Sequence, residues 1–223
     1  MDAAALISGG KDSALALHRV LEEGHNVKFL VAMIPQREDS WMFHYPNIHL
    51  TDLFAKSADI PLVKEKTSGL KERELEDLKR VLAKLDVESV VSGAIASQYQ
   101  KQRVQRICEE LRLSLITPLW KEDPVKLLKE LVDFKFEAII TGVYAHGFDV
   151  SWLGRQIDQG TIKALISLQQ KYGISVVGEG GEYETLVLEA PFFNKRMQLA
   201  ETEKIWEKQS GHLLIKKAHL TDR

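Results

Sequence analysis

Cysteine is nearly absent. Cys108 is the single one in 223 residues, which excludes an internal disulfide framework and any Cys-x-x-Cys redox or zinc pair. Long apolar runs are missing too. The opening stretch, MDAAALISGG, carries an acidic residue where a secretory leader needs positive charge, and its apolar part is too short for a leader core or a membrane span. It reads as the buried first strand of a cytoplasmic protein with no membrane partner. Nor does one sign of charge dominate: 30 Lys and Arg face 32 Asp and Glu, a formal net charge of −2. No global basic field exists, so bulk capture of nucleic acid is not expected. Repeats and low-complexity segments are also absent. What is present is 44% hydrophobic residues, enough for one large or two small domains, each with its own core.

Apolar runs of strand length alternate with helical patterns through the first two thirds of the chain. This is the signature of βαβ units around a mostly parallel sheet. The expected strands are Ala3–Ile7, Val27–Ile34, Pro61–Lys66, Ser89–Ser92, Ser114–Thr117 and Ala138–Thr141. Between them run apolar helical stripes such as Leu75, Leu78, Leu82 and Leu85, or Val104, Ile107, Cys108 and Leu111. Gly24 stands where a helix should end. Asp123 before Pro124 predicts a helix start, with aspartate as N-cap and proline in the first turn. The polar and aromatic stretch Pro35 to Asn47, holding Trp41, Phe43, His44 and Tyr45, reads either as a loop over a site or as an irregular packed excursion. After Thr141 the character changes to glycines, one further helix and short strand-like pieces up to Leu213–Ile215. A soft boundary near Leu119–Asp123 therefore divides an α/β domain, residues 1–120, from a smaller α+β domain, residues 121–223.

Ser8-Gly9-Gly10-Lys11-Asp12-Ser13 follows the first strand and opens an amphipathic helix. Two glycines let the backbone turn tightly and aim successive N–H groups at an anion, to which the helix N-terminus adds partial positive charge. Lys11 can neutralise phosphate, Ser8 and Ser13 can donate hydroxyls, and Asp12 can reach a magnesium ion or cap the helix. The spacing is neither that of a Walker A loop nor that of a dinucleotide fingerprint. On the glycine pair alone, an ordinary strand-to-helix turn with Asp12 or Ser13 as N-cap remains an alternative.

A second glycine-rich stretch, Gly178-Glu179-Gly180-Gly181-Glu182-Tyr183-Glu184-Thr185, crowds carboxylates before the strand Leu186–Leu188. Such crowding calls for a cation or hydrogen-bond donors nearby. If Glu182 to Glu184 is extended, both side chains share one face; a solvated acidic hairpin is the plainer reading. Tyr99 and Arg103, four apart, share a helical face beyond the C-terminal end of a parallel strand, where ligands bind in open α/β sheets. Gly93 there would let the backbone approach an adenosine. Trp152 and Arg155 read either as a packing pair or as a binding pair. Cys108 lies on an apolar stripe and reads as a core thiol, and His146 as a solvated loop histidine.

The first loop resembles the SGGxDS signature of the N-type ATP pyrophosphatases, the PP-loop superfamily. With the Glu-Gly-Gly-Glu-Tyr-Glu stretch it resembles the diphthine–ammonia ligase family. Further pieces agree along the whole chain: Ser92-Gly93-Ala94-Ile95, Tyr99-Gln100, Arg103-Val104, Pro118-Leu119-Trp120, Gly147 to Asp149, Ser151-Trp152-Leu153-Gly154-Arg155, Ile157-Asp158 and Glu189-Ala190-Pro191. Two departures stand out, since the family commonly has aspartate at Glu189 and glycine at Arg112. The resemblance implies a HUP-like nucleotide-binding fold and ATP with Mg2+ as cofactors. It also implies that a diphthine carboxylate on translation elongation factor 2 is adenylated and then attacked by ammonia. It implies Ser8, Gly9, Gly10, Lys11, Asp12, Ser13, Gly93, Tyr99 and Arg103 around ATP, with Asp12 also on the metal. Lys11, Asp12, Glu182 and Glu184 would be catalytic, and Trp152, Arg155, Glu179, Gly180, Gly181 and Tyr183 would meet the substrate. Free ammonium is the expected nitrogen source, because no glutaminase domain or catalytic cysteine is found; a homodimer is left open. The rival readings are a PP-loop tRNA-modifying ligase and a non-catalytic ATP or AMP sensor.

Overall fold

The computed structural model describes residues 1–35, 47–67 and 71–223, so the expected loop between Pro35 and Asn47 lies, apart from its two ends, outside the described residues. The chain divides into two compact units, Met1–Trp120 and Lys121–Arg223. Among the described residues no helix is long and apolar enough to cross a membrane.

The first unit is built on five parallel strands: β1 (Asp2–Leu6), β2 (Asn26–Pro35), β3 (Leu62–Thr67), β4 (Ser89–Val91) and β5 (Ser114–Ile116). Their order is β3-β2-β1-β4-β5. Among the described residues four α-helices connect them: α1 (Lys11–Glu22), α2 (Thr51–Ala58), α3 (Lys71–Leu82) and α4 (Gln98–Leu111). A strand covered on both faces needs apolar residues at consecutive positions rather than alternate ones. Ala3, Ala4 and Ala5, and Leu30 through Met33, meet that requirement and are all buried. One side of the sheet closes over a core in which Val31, Met33 and Val90 meet Leu78 and Leu82 of α3 and Val104, Ile107 and Cys108 of α4. Helix α2 was not anticipated; its short apolar face is Phe54 and Ala55.

The second unit comprises α5 (Pro124–Asp133), β6 (Glu137–Val143), α6 (Gln159–Tyr172), β7 (Tyr183–Glu189), β8 (Arg196–Glu207) and β9 (Ser210–Thr221). Asp123 caps α5 through a 2.7 Å bond from Lys126 N–H to its carboxylate, and Pro124 fills the first turn. Here the structure departs from the sequence pattern. The apolar run Ala138–Thr141 belongs not to the parallel sheet but to β6, which pairs antiparallel with β7 and β9 in a four-stranded sheet ordered β7-β6-β9-β8. Strands β8 and β9 form a long two-stranded ribbon where only short pieces were expected.

Candidate active site

The chain leaves β1 through Ile7, whose N–H bonds to Val31 at 2.9 Å. It turns at Gly9, whose φ of +83° is the left-handed conformation that glycine adopts at little cost. The N-cap of α1 is Gly10, in an extended conformation and with no side-chain cap. Asp12 and Ser13 therefore do not cap the helix, and no side chain covers its positive dipole end. The two serines brace the turn from within. Ser8 N–H donates to Ser13 Oγ at 3.3 Å, Gly10 N–H donates to Ser8 Oγ at 3.3 Å, and Ser13 Oγ donates to the Gly10 carbonyl at 3.0 Å. Lys11 is buried, at 3% exposure, and its Nζ lies 2.8 Å from Asp12 Oδ2. A cation and uncapped amides meet in one turn, an arrangement suited to an anion. Asp12 remains about one third exposed. Among the described residues no group of three or more His, Cys, Asp and Glu converges on one point. A lone accessible carboxylate beside a phosphate cradle fits Mg2+, which keeps several waters and binds through one or two carboxylates plus substrate phosphates.

This turn stands between β1 and β4, where the order of strands reverses and open α/β sheets bind ligands. A cavity of about 160 Å³ opens there. Leu6, Val31, Met33 and Leu78 give it an apolar floor, while Ser8, Asp12, Ser13, Ser92 and Gln100 supply polar groups. Gly93 lines it, but for a reason the sequence did not suggest. A Cβ at Gly93 would stand 2.8 Å from the Asp12 carbonyl and the Ser13 nitrogen, so the absent side chain makes room for the first turn of α1 itself. On α4, begun by Ser97 as N-cap, the cavity-lining residues are Gln100 and Val104. Tyr99 and Arg103 lie one position away and half-buried, the guanidinium carbon stacked 3.7 Å from the tyrosine ring centroid. Gln100 was missed as a candidate because its neighbour Tyr99 is the more conspicuous residue. Cys108 is buried in the core, where loss of solvation pushes its thiol up to about 11; it holds no thiolate near neutral pH.

In the second unit the glycine-rich stretch makes two successive turns, Gly178 N–H bonding to Ser175 and Gly181 N–H to Gly178. Gly178 has a φ of +74°, and a Cβ on it would meet the Tyr183 ring at 2.8 Å. Glu182 folds back against Gly180, its Oε1 accepting a 2.8 Å bond from Ser175 N–H. Its Oε2 is withdrawn from water without a hydrogen-bond partner among the described residues, an acceptor position left open to an N–H donor. Glu179 is half-buried and Gly181 exposed. Register then sorts the rest. Gly142 pairs with Glu184, Val143 with Tyr183, and Tyr144 N–H bonds to the Glu182 carbonyl at 2.9 Å. Alternation puts Gly142, Tyr144, Glu182 and Glu184 on one face and Tyr183 on the other. Tyr183 is buried at 3% exposure, donating to the Val176 carbonyl at 2.7 Å and packing near Phe148. Trp152 joins the same aromatic group, edge-on to Phe148 with centroids 4.9 Å apart. Arg155 lies over Trp152 at 4.6 Å and donates to Thr161 Oγ1 at 3.0 Å. Of the expected substrate residues, Trp152, Tyr183 and Arg155 are thus occupied in packing. Tyr144, which the sequence did not single out, lays its hydroxyl over Gly142; burial, and then the charge of Glu184, push its phenol above the ordinary range.

Both units match one family. The model of the diphthamide synthase N-terminal domain covers residues 1–115 and that of the diphthamide synthase C-terminal domain covers residues 123–221. The chain belongs to the diphthamide synthase family. Relatives named diphthine–ammonia ligase include the rat protein, 36% identical over 92% of this chain and 85% of its own length. The human protein is also 36% identical, over 91% of this chain and 84% of its own length. The fission yeast relative is 36% identical over 93% of this chain, but this chain spans only 37% of that longer protein. A solved structure, a predicted subunit of a tRNA methyltransferase from Methanocaldococcus jannaschii, superposes over 85% of this chain with a TM-score of 0.46 at 17% identity, a likeness too slight to bear on function. The two family departures have simple settings. Arg112 ends α4 in the left-handed conformation, φ +58°, and Glu189 pairs with Arg223 at 2.8 Å.

Proposed function

We propose that this chain is an ATP-dependent ligase that converts diphthine on translation elongation factor 2 to diphthamide, with ammonium as nitrogen source. The observation that carries the reading is a family match in both units joined to an uncapped α1 N-terminus holding Lys11. In the reaction, a carboxylate oxygen of the substrate attacks the α-phosphorus of ATP, and the bond to the bridging oxygen breaks to release pyrophosphate. Ammonia, formed by loss of a proton from ammonium, then attacks the acyl carbon and AMP leaves. A bare carboxylate resists ammonia because oxide is a poor leaving group; AMP is a far better one.

In this reading the amides of α1, the hydroxyls of Ser8 and Ser13 and the Lys11 ammonium hold the charge that grows on the departing pyrophosphate. Asp12 shares Lys11 and would hold Mg2+ brought in on the phosphates, the ion supplying further charge neutralisation. The apolar floor of the cavity suits the adenine ring, with Gln100, Tyr99 and Arg103 nearby. Glu182 and Glu184 serve the carboxyl and ammonium end, supported by the open Oε2 acceptor of Glu182. The work is cytoplasmic, where the elongation factor operates, and calls for no nucleic acid. Lys11→Ala should cut AMP formation by about a hundredfold or more with the fold intact. Near-normal turnover by that variant, measured with ATP and the diphthine-bearing factor, would refute the assignment of the loop.

A further inference from the structure

Among the described residues Tyr144 is one of few large aromatic side chains left in water, 43% exposed, and its surroundings are anionic. Its N–H bonds to the Glu182 carbonyl at 2.9 Å, and Gly142, two residues before it, is the register partner of Glu184. Alternation along the paired strands therefore sets the ring on the same face as both carboxylates. The ring leans back along its own strand, its hydroxyl end over Gly142, where a Cβ would lie 2.5 Å from the oxygen. The charge of Glu184 is felt there: burial, and then that charge, push the phenol above the ordinary range.

An exposed ring beside two carboxylates attracts a cation, because the face of an aromatic ring is its negative part. Among the described residues Tyr99, Trp120, Trp152 and Tyr172 each carry a cation of the chain's own, 3.7 to 4.9 Å from the ring centroid, whereas Tyr144 carries none. The substrate of the reaction proposed above supplies one, since diphthine bears a trimethylammonium group on the carbon next to its reacting carboxyl. That cation has no N–H to donate, so aromatic faces and bare charge are what can hold it. A carboxylate attracts it by charge whether or not its oxygens are already hydrogen-bonded. The cation also removes a difficulty: Glu182 and Glu184 would repel a substrate carboxylate arriving alone, and a positive neighbour offsets that repulsion.

We infer that the Tyr144 ring, flanked by Glu182 and Glu184, is the seat of the trimethylammonium group of diphthine. The inference rests on the ligase reading and names the part of the substrate that this face takes. Tyr144→Phe keeps the ring and should leave KM for the diphthine-bearing factor within about twofold of wild type, whereas Tyr144→Leu, apolar but not aromatic, should raise it about fivefold. A folded Tyr144→Leu enzyme with wild-type KM, or a Tyr144→Phe enzyme as impaired as Tyr144→Leu, overturns the inference.

A second measurement uses the wild-type protein and stands apart from turnover. With tyrosines labelled at Cζ, the Tyr144 resonance, identified by its absence from Tyr144→Phe, should shift with tetramethylammonium chloride. It should shift also with trimethylglycine, which joins the same cation to a carboxylate, and not with sodium chloride at equal ionic strength. If the wild-type protein forms no AMP with the diphthine-bearing factor, the ligase reading fails. The titration then decides by itself whether this face takes a quaternary ammonium: no shift, or an equal shift with sodium, ends the inference.

Discussion

Gly93 and Arg112 show how much a single backbone position can hold. A methyl group at Gly93 would collide at 2.8 Å with main-chain atoms of Asp12 and Ser13, and backbone, unlike a flexible side-chain end, cannot swing aside. Gly93→Ala should therefore destabilise the first unit by about 1–3 kcal/mol and weaken ATP binding, both readable by urea unfolding and by nucleotide titration. Unchanged stability with weakened ATP binding would instead return Gly93 to a direct role against the ligand. Arg112 is the converse case. It occupies the left-handed position after α4, where a Cβ costs about 1–2 kcal/mol and glycine gives back about 0.5–1 kcal/mol in chain entropy. Arg112→Gly should raise stability by about 0.5–1 kcal/mol, measured in urea without change of activity. The turn from Ser8 to Ser13 was legible in sequence because its signals are local: two glycines, a lysine and two hydroxyls in one run between a strand and a helix. Tyr144 was not legible as a neighbour of the glutamate stretch, since its N–H meets the Glu182 carbonyl only through strand pairing between distant parts of the sequence. Trp152 and Tyr183 entered as substrate residues through the family resemblance, and their packing near Phe148 could not be read from the sequence.

The same division runs through the elements. β1 and β2 were readable because burial on both faces forces an unbroken apolar run. α5 was readable because Asp123 and Pro124 announce its start in the only two residues that matter. The β8 and β9 ribbon was not, because much of it is wet on both sides. Glu201, Glu203, Lys204 and Glu207 carry no period-two apolar signal, and ion pairs such as Lys216 with Glu203 at 2.7 Å replace a core. β6 misled for the opposite reason, its apolar run being as suited to a buried antiparallel strand as to a parallel one. Capping supplies the testable consequence at this scale. Asp158, the N-cap of α6, accepts a 2.7 Å bond from Thr161 N–H, and that bond first, then a side-chain contact with Thr161 and the charge of Arg155, hold its carboxyl below the usual range. A depressed folded-state pKa contributes stability that is full above the unfolded value of about 4 and is lost as pH falls through the folded one. Wild-type protein should therefore lose melting temperature on acidification below about pH 4 more steeply than Asp158→Asn, whose amide oxygen can still cap but cannot titrate. Parallel acid profiles for the two proteins would contradict this.

At the scale of the whole molecule, two units of different construction divide two kinds of chemistry. Residues 1–120 present a helix dipole, an ammonium and backbone donors, all suited to phosphate; residues 121–223 present carboxylates and a phenol, all suited to a cationic or N–H-bearing ligand. That contrast of charge is what a reaction needing both a pyrophosphate leaving group and an ammonia nucleophile supplied as ammonium would require. The buried Cys108 thiol, raised to about 11, leaves sulfur transfer without a carrier among the chain's own residues. The decisive measurement is release of AMP and pyrophosphate from ATP, Mg2+ and ammonium, with elongation factor 2 bearing diphthine compared with the unmodified factor. The account predicts release only with diphthine, together with the mass change of a carboxyl becoming a carboxamide on the factor. Nucleotide binding with no diphthine-dependent release, or release driven equally well by tRNA, would contradict it.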